Sequence, residues 1–219
     1  MDFSLVYSIT EKQYLINPFD PIGGIRMPRI IIFRGDTRDP GIIKRDGFAL
    51  HGEGAAAVQG AGGVLPYLQR TLKGKNGYDI QRWVIEGRNW GRPTISTAFD
   101  QGCGGYDGDY IYQIEFANLY EVPLRGSSIR NTLGMTETRG EPALFMLMDN
   151  MMLAASRTIA IGLNVGTKEV AFFTKIPPAN ITRYFHKSKG SWTLMSQVQV
   201  ASAVNWKMNR ARMAMFERK

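Results

Sequence analysis

The stretch Arg29-Ile30-Ile31-Ile32-Phe33-Arg34-Gly35-Asp36-Thr37-Arg38 decides the fold. Its β-branched run, bounded by Pro28 and Gly35, predicts a buried strand whose last residue, Arg34, meets a turn. Two later segments have a similar form: Thr94-Ile95-Ser96-Thr97, and Thr167-Lys168-Glu169-Val170 leading into Ala171-Phe172-Phe173. Each reads as a short strand carrying one polar group of chemical interest. Together they set an arginine, a hydroxyl pair and a glutamate on three strands that a sheet-based cleft could bring together.

Around these three segments the chain alternates short strands with a few helices. Residues 39–47 read as one or two helical turns stopped by Gly47. The run Gly52-Glu53-Gly54-Ala55-Ala56-Ala57-Val58-Gln59-Gly60-Ala61-Gly62-Gly63 reads as a flexible connection. It has neither the lysine of a P-loop nor a GxGxxG between strand and helix. Residues 64–72 predict a short helix, with Pro66 confined to its first turn, and Trp83-Val84-Ile85 predicts a strand. Tyr110-Ile111-Tyr112-Gln113-Ile114-Glu115-Phe116 alternates as a half-buried strand does. The Met-rich stretch 142–155, with Leu144, Leu147, Met148, Met151 and Met152 at helical spacing, predicts a core helix. Strand patterns return at 181–185 and 192–204. The result is an α+β mixture, divided into a lead-in or lid over 1–28, a main domain over 29–204 and a basic helix over 205–219.

Composition narrows the function classes. The 219 residues hold 27 Lys and Arg against 19 Asp and Glu, a net charge of +8 that favours an anionic partner. One cysteine, Cys103, excludes an intramolecular disulfide and suits a reducing compartment. Two widely spaced histidines, His51 and His186, give no zinc-ligand spacing, so no metal is expected. The absence of a GxSxG elbow argues against a serine hydrolase. The first residues lack a basic segment followed by an apolar run, and no stretch reaches the length of a membrane span, so neither a secretory signal nor a membrane partner is expected.

The ordered pieces resemble a family. Phe33-Arg34-Gly35-Asp36-Thr37-Arg38 followed by Asp46-Gly47-Phe48, Thr94-Ile95-Ser96-Thr97, the strand Tyr110-Ile111-Tyr112, and Lys168-Glu169-Val170-Ala171 followed by Ile176-Pro177-Pro178-Ala179-Asn180-Ile181 are similar to the motifs of the cholera and pertussis toxin catalytic subunits. The resemblance spans roughly residues 30 to 185. It implies a split β-sheet core with short flanking helices and mono-ADP-ribosyltransferase activity, with NAD as substrate and no metal. Glu169 would be the catalytic carboxylate at the ribose, Ser96 would hold it in position, and Arg34 would meet the phosphates or tie strands beneath the site. Thr97 would support the same strand, and Phe99 would stack on nicotinamide. Tyr67 would stand where the family carries a histidine in a short helix, and His51 would reach NAD from its loop.

Two departures bear on the acceptor. Ala98 replaces the third hydroxyl of the family's Ser-Thr-Ser segment. Thr167 stands where arginine-modifying relatives carry a second glutamate, and a threonine cannot serve as a carboxylate base. The acceptor therefore cannot be read by analogy, and the resemblance implies that Thr167 would be the acceptor-selecting position. The resemblance implies a macromolecular acceptor, with protein placed ahead of nucleic acid, in a secreted or delivered effector that acts in a reducing cytosol; an immunity or delivery partner is left open. NAD hydrolysis, nucleic-acid modification and an inert basic nucleic-acid-binding module are the alternatives.

Overall fold

A computed structural model describes residues 25–50, 52–85, 93–102, 108–163 and 169–195. Residues 1–24 of the lead-in or lid anticipated over 1–28, the basic helix over 205–219, His51, Cys103 and Thr167 lie outside the described residues, while residues 25–28 begin the first strand. The fold is α+β. Among the described residues eight strands, β1 (Ile25–Asp36), β2 (Ile95–Ala98), β3 (Tyr110–Pro123), β4 (Leu144–Met148), β5 (Ile159–Leu163), β6 (Glu169–Phe172), β7 (Ile181–His186) and β8 (Ser191–Leu194), make one sheet in the order β1-β2-β6-β5-β4-β3-β7-β8, and a further β1–β3 pairing closes its first six strands into a ring.

The strand opened by the quoted stretch is longer than its apolar run. β1 spans Ile25–Asp36, starting before the expected boundary at Arg29, and pairs antiparallel with β3 (Tyr110–Pro123) from Ile25↔Glu121 to Asp36↔Tyr110. The register skips Pro28, which has no N–H to donate, and on β3 Asn118 takes a positive φ of 63° there, a conformation asparagine tolerates. The other edge of β3 changes partner along its length. Its start pairs with β7 (Ile181–His186) and its end with β4 (Leu144–Met148), which divides the sheet in two. Asn180 donates its side-chain amide to the Glu115 carbonyl at 2.8 Å close to this division.

Residues 144–148 are a strand, not the expected helix. β4 and its neighbour β5 (Ile159–Leu163), which the sequence reading did not identify, are buried at every position. Leu144, Met146 and Met148 face one core, while Phe145 and Leu147 face the other. A strand covered on both faces has no need of polar alternation, so its period is invisible and its apolar residues fit a helical template by accident. Met152 lies beyond this strand, 65% exposed, ahead of a single 3-10 turn at Leu153–Ala155.

Two further expectations are overturned on the helical side. The glycine-rich run forms α2 (Gly52–Gly60), following α1 (Pro40–Asp46), since Ala55, Ala56 and Ala57 are strong helix formers and Val58 supplies a buried contact. Trp83-Val84-Ile85 ends α4 (Gly77–Ile85), whose buried Ile80 and Val84 recur at helical spacing. Asn76 starts α4 by accepting from the N–H groups of Tyr78 and Asp79 at 2.9 and 3.1 Å, while Asp79 accepts from the Asn76 N–H at 3.0 Å. That reciprocal cap was legible in the sequence as Asn-x-x-Asp.

Helices α3 (Val64–Leu72), α4 and α5 (Ser128–Thr132) cover the core on one face of β4, β5 and β6 (Glu169–Phe172). Pro66 sits in the first turn of α3, as the sequence predicts. The second core lies between β1, β3, β6 and α1, with Phe48 and Ile176 joined by an isolated bridge. Gly47 ends α1 with φ 68°, and a side chain there would strike the Ile176 carbonyl, so glycine is required twice over. Among the described residues no helix is long and apolar enough to cross a membrane.

Candidate active site

The three segments singled out in the sequence become neighbours. β2 (Ile95–Ala98) lies between β1 and β6, paired through Phe33↔Ala98 on one side and through Ser96↔Ala171, Thr97↔Val170 and Ala98↔Glu169 on the other. Segments separated by about 60 and 70 residues of chain are thus brought to adjacent strands.

Strand alternation distributes the side chains between two faces. Ser96, Ala98 and Glu169 share one face, with Ser96 diagonal to Glu169 across the pair, within reach of a long side chain. Glu169 is buried, at 7% exposure, and Ser96 is half-buried. Thr97 points to the other face. It is buried and its hydroxyl donates to the Val170 carbonyl at 2.8 Å, bracing β2 against β6.

Arg34 also lies on the Thr97 side, opposite Tyr112 in register. Its Nη1 donates to the Ser96 carbonyl at 2.7 Å, its Nε faces Asp36 at 3.3 Å, and its guanidinium lies 5.2 Å from the Phe48 ring centre. Arg38 covers the same ring at 5.3 Å and grips Asp36 through Nε at 2.8 Å and Nη2 at 2.7 Å. Burial alone would raise the Asp36 carboxyl. The Arg38 hydrogen bonds, then the charges of Arg34 and Arg38, outweigh burial and hold it below the ordinary carboxylate range. Tyr112 donates its hydroxyl to the Arg38 carbonyl at 2.6 Å, and burial, then the Asp36 charge, pushes its acidity down.

Asp36 and Tyr112 were quoted in the motifs but given no task by the sequence reading. The signal that could have found Asp36 is its place between Arg34 and Arg38, where alternation puts all three on one face. The remaining sequence candidates are more scattered. Phe99 packs toward Phe145 with ring centres 6.1 Å apart, half-buried against the second core. Tyr67 lies on α3 against the helical core beside Val64 and Leu65.

Arg34 is a strand tie in this geometry, and lysine cannot reproduce its fork. Arg34→Lys is expected to lower stability by about 1.5–3 kcal/mol, the worth of hydrogen bonds to a charged group. A urea midpoint equal to wild type would remove this role.

No family model matches the chain, and no curated protein does. Among solved structures it is similar to a single-substitution variant of the Scabin toxin from Streptomyces scabies, with 18% identity over 75% of this chain and 73% of that one and a TM-score of 0.35. It is also similar to a guanine-specific ADP-ribosyltransferase, with 16% identity over 81% of each chain and a TM-score of 0.35. A third is EcPltA, with 16% identity over 75% of this chain and 81% of that one and a TM-score of 0.33.

Proposed function

We propose that this chain is a mono-ADP-ribosyltransferase that cleaves NAD and passes ADP-ribose to a macromolecular acceptor. One observation carries the reading: the sheet order β1-β2-β6 sets Arg34, Ser96 and Glu169, picked out from the sequence alone, on three consecutive strands.

The chemistry needs that arrangement. As the bond from ribose C1′ to the nicotinamide nitrogen breaks, its electron pair returns to the ring and positive charge develops on the sugar. A fixed carboxylate beside C1′ stabilises that charge, and a buried one does so with less screening by water. Glu169 fills this role from the buried face of β6, with Ser96 steadying it from the diagonal position. The acceptor nucleophile then bonds to C1′ and loses its proton, so nicotinamide and one proton leave for each ADP-ribose transferred. Thr97 and Arg34 act as positioning residues: one braces β2 to β6, the other holds the β2 backbone to β1. Phe99, Tyr67 and His51 are proposed to contact NAD, with Thr167 beside the acceptor.

The test is incubation with NAD labelled in its adenylate half, in the presence of a cell lysate. Release of free nicotinamide together with label on macromolecules is expected. Digestion of the labelled product with protease or with nuclease names the acceptor class. Nicotinamide release without macromolecular label would make water the acceptor, and no release at all would leave the inert binding module as the better reading.

A further inference from the structure

One row of residues crosses six strands in register: Leu194, Arg183, Gln113, Phe33, Ala98 and Glu169. β8 (Ser191–Leu194) forms its outer end. At 4.7–4.9 Å between strands, the row runs about 24 Å along the sheet, and Phe33 lies about 10 Å from Glu169. Alternation puts Ile31, Phe185 and Trp192 on the same face as this row. Phe33 and Phe185 flank Trp192 with ring centres 6.2 and 5.5 Å away. The three rings are half-buried, while Ile31 at 40% and Leu194 at 57% are open to solvent.

The charge on this ledge is mainly positive, with the exposed Asp109 beside Lys187, whose N–H donates to the Asp109 carbonyl at 3.0 Å. Residues 170–195 contain no aspartate or glutamate but carry Lys175, Arg183, Lys187 and Lys189, and Arg183, Lys187 and Lys189 are exposed. Glu115, the acid on the same face of β3, is buried and turned to Arg29, Gln113 and Thr182. Aromatic rings beside exposed cations such as Arg183 and Lys189 are what a polyanion with flat apolar faces requires. Bases inside a duplex cannot stack on a sheet, whereas those of a single strand can.

We propose that the ledge formed by Phe33, Phe185, Trp192 and Arg183 docks a single-stranded nucleic acid, with its inner end leading to Glu169. Binding to the ledge does not depend on the transferase reading; that the docked strand is also the acceptor rests on it.

The test is fluorescence anisotropy of the full chain with a fluorescein-labelled oligothymidylate of roughly twelve nucleotides, a length within the usual site size, at near-physiological salt and without NAD. Trp192→Ala should weaken binding by about 5-fold to 100-fold, the loss of one stacked base. Arg183→Glu should weaken it by at least about 10-fold and make the salt dependence shallower. A matched charge change on the far side, Lys73→Glu, should move it by no more than about twofold beyond the general salt effect. Melting curves separate lost folding from lost binding, and the exposed Arg183 position decides the matter if Trp192→Ala unfolds. Equal loss in all three variants, or equal competition by polyglutamate of the same length, would overturn the proposal in favour of nonspecific charge or an acidic protein. Oligonucleotide binding without nicotinamide release would sink the transferase reading and leave the ledge standing; nicotinamide release without oligonucleotide binding would do the reverse.

Discussion

Glu169→Gln is expected to fold normally and to release nicotinamide about 10²–10³ times more slowly than wild type, the usual cost of one preorganised electrostatic group. The amide preserves the size of the side chain at its buried place opposite Ala98, so packing changes little. It cannot offset positive charge on the ribose. Because the interaction grows only as the bond breaks, the loss should fall on kcat while KM for NAD stays within about threefold. Nicotinamide release within a factor of about five of wild type by a folded Glu169→Gln protein would end the assignment, as would a loss confined to KM.

The second large effect lies in the helical core. Arg130 and Glu141 are both buried, joined by a two-pronged ion pair whose longer arm is 2.9 Å. Glu141 also accepts from the N–H groups of Gly77 at 2.8 Å and Thr138 at 3.2 Å, so one carboxylate holds the start of α4, the 133–143 loop and α5 together. Arg130 Nε is buried without a hydrogen-bond partner, which leaves this guanidinium no reserve. Glu141→Ala strands a buried cation and takes the acceptor from two backbone N–H donors, Gly77 and Thr138, at a cost of about 3–5 kcal/mol. That is a large share of a typical domain's stability. Urea unfolding should show a midpoint lowered in proportion with an unchanged slope. Arg130→Met combined with Glu141→Leu should recover much of the loss, since an apolar pair of similar volume carries no desolvation penalty. A single-variant loss below about 1 kcal/mol would mean that water reaches the pair.

The strands that carry the site were legible because each has an edge or an end near the surface. β1, β2 and β6 stop at polar turns, so Arg34, Ser96 and Glu169 stand out against their apolar neighbours. Their adjacency could be suggested only by order, since nothing local in Ile95-Ser96-Thr97 states that it pairs with both Phe33 and Glu169. β4 and β5 were illegible for the opposite reason. With a core on each side, Leu144-Phe145-Met146-Leu147-Met148 carries no polar mark to set its period. α4 was misread from three residues, Trp83-Val84-Ile85, although its cap lies seven residues upstream at Asn76. The faces were beyond reach as well: that Thr97 braces β6 while Ser96 shares the face of Glu169 depends on register, and a shift of one residue would exchange them.

The single Phe33↔Ala98 pair that joins β1 to β2 has a consequence for the order of assembly. The partners of β1 lie far along the chain: β1 ends at Asp36, β2 begins at Ile95 and β3 at Tyr110, while β6, which pairs with β2, begins only at Glu169. Nearly every contact that shapes the candidate site is therefore non-local, and the entropy of closing those loops must be met before any of them is rewarded. Helices α1 to α4, which lie between β1 and β2, can form from local bonds while the first strand still waits. A chain emerging from a ribosome holds no complete candidate site until residues near 172 are in place. The candidate site is then assembled late and all at once, as a property of the closed ring.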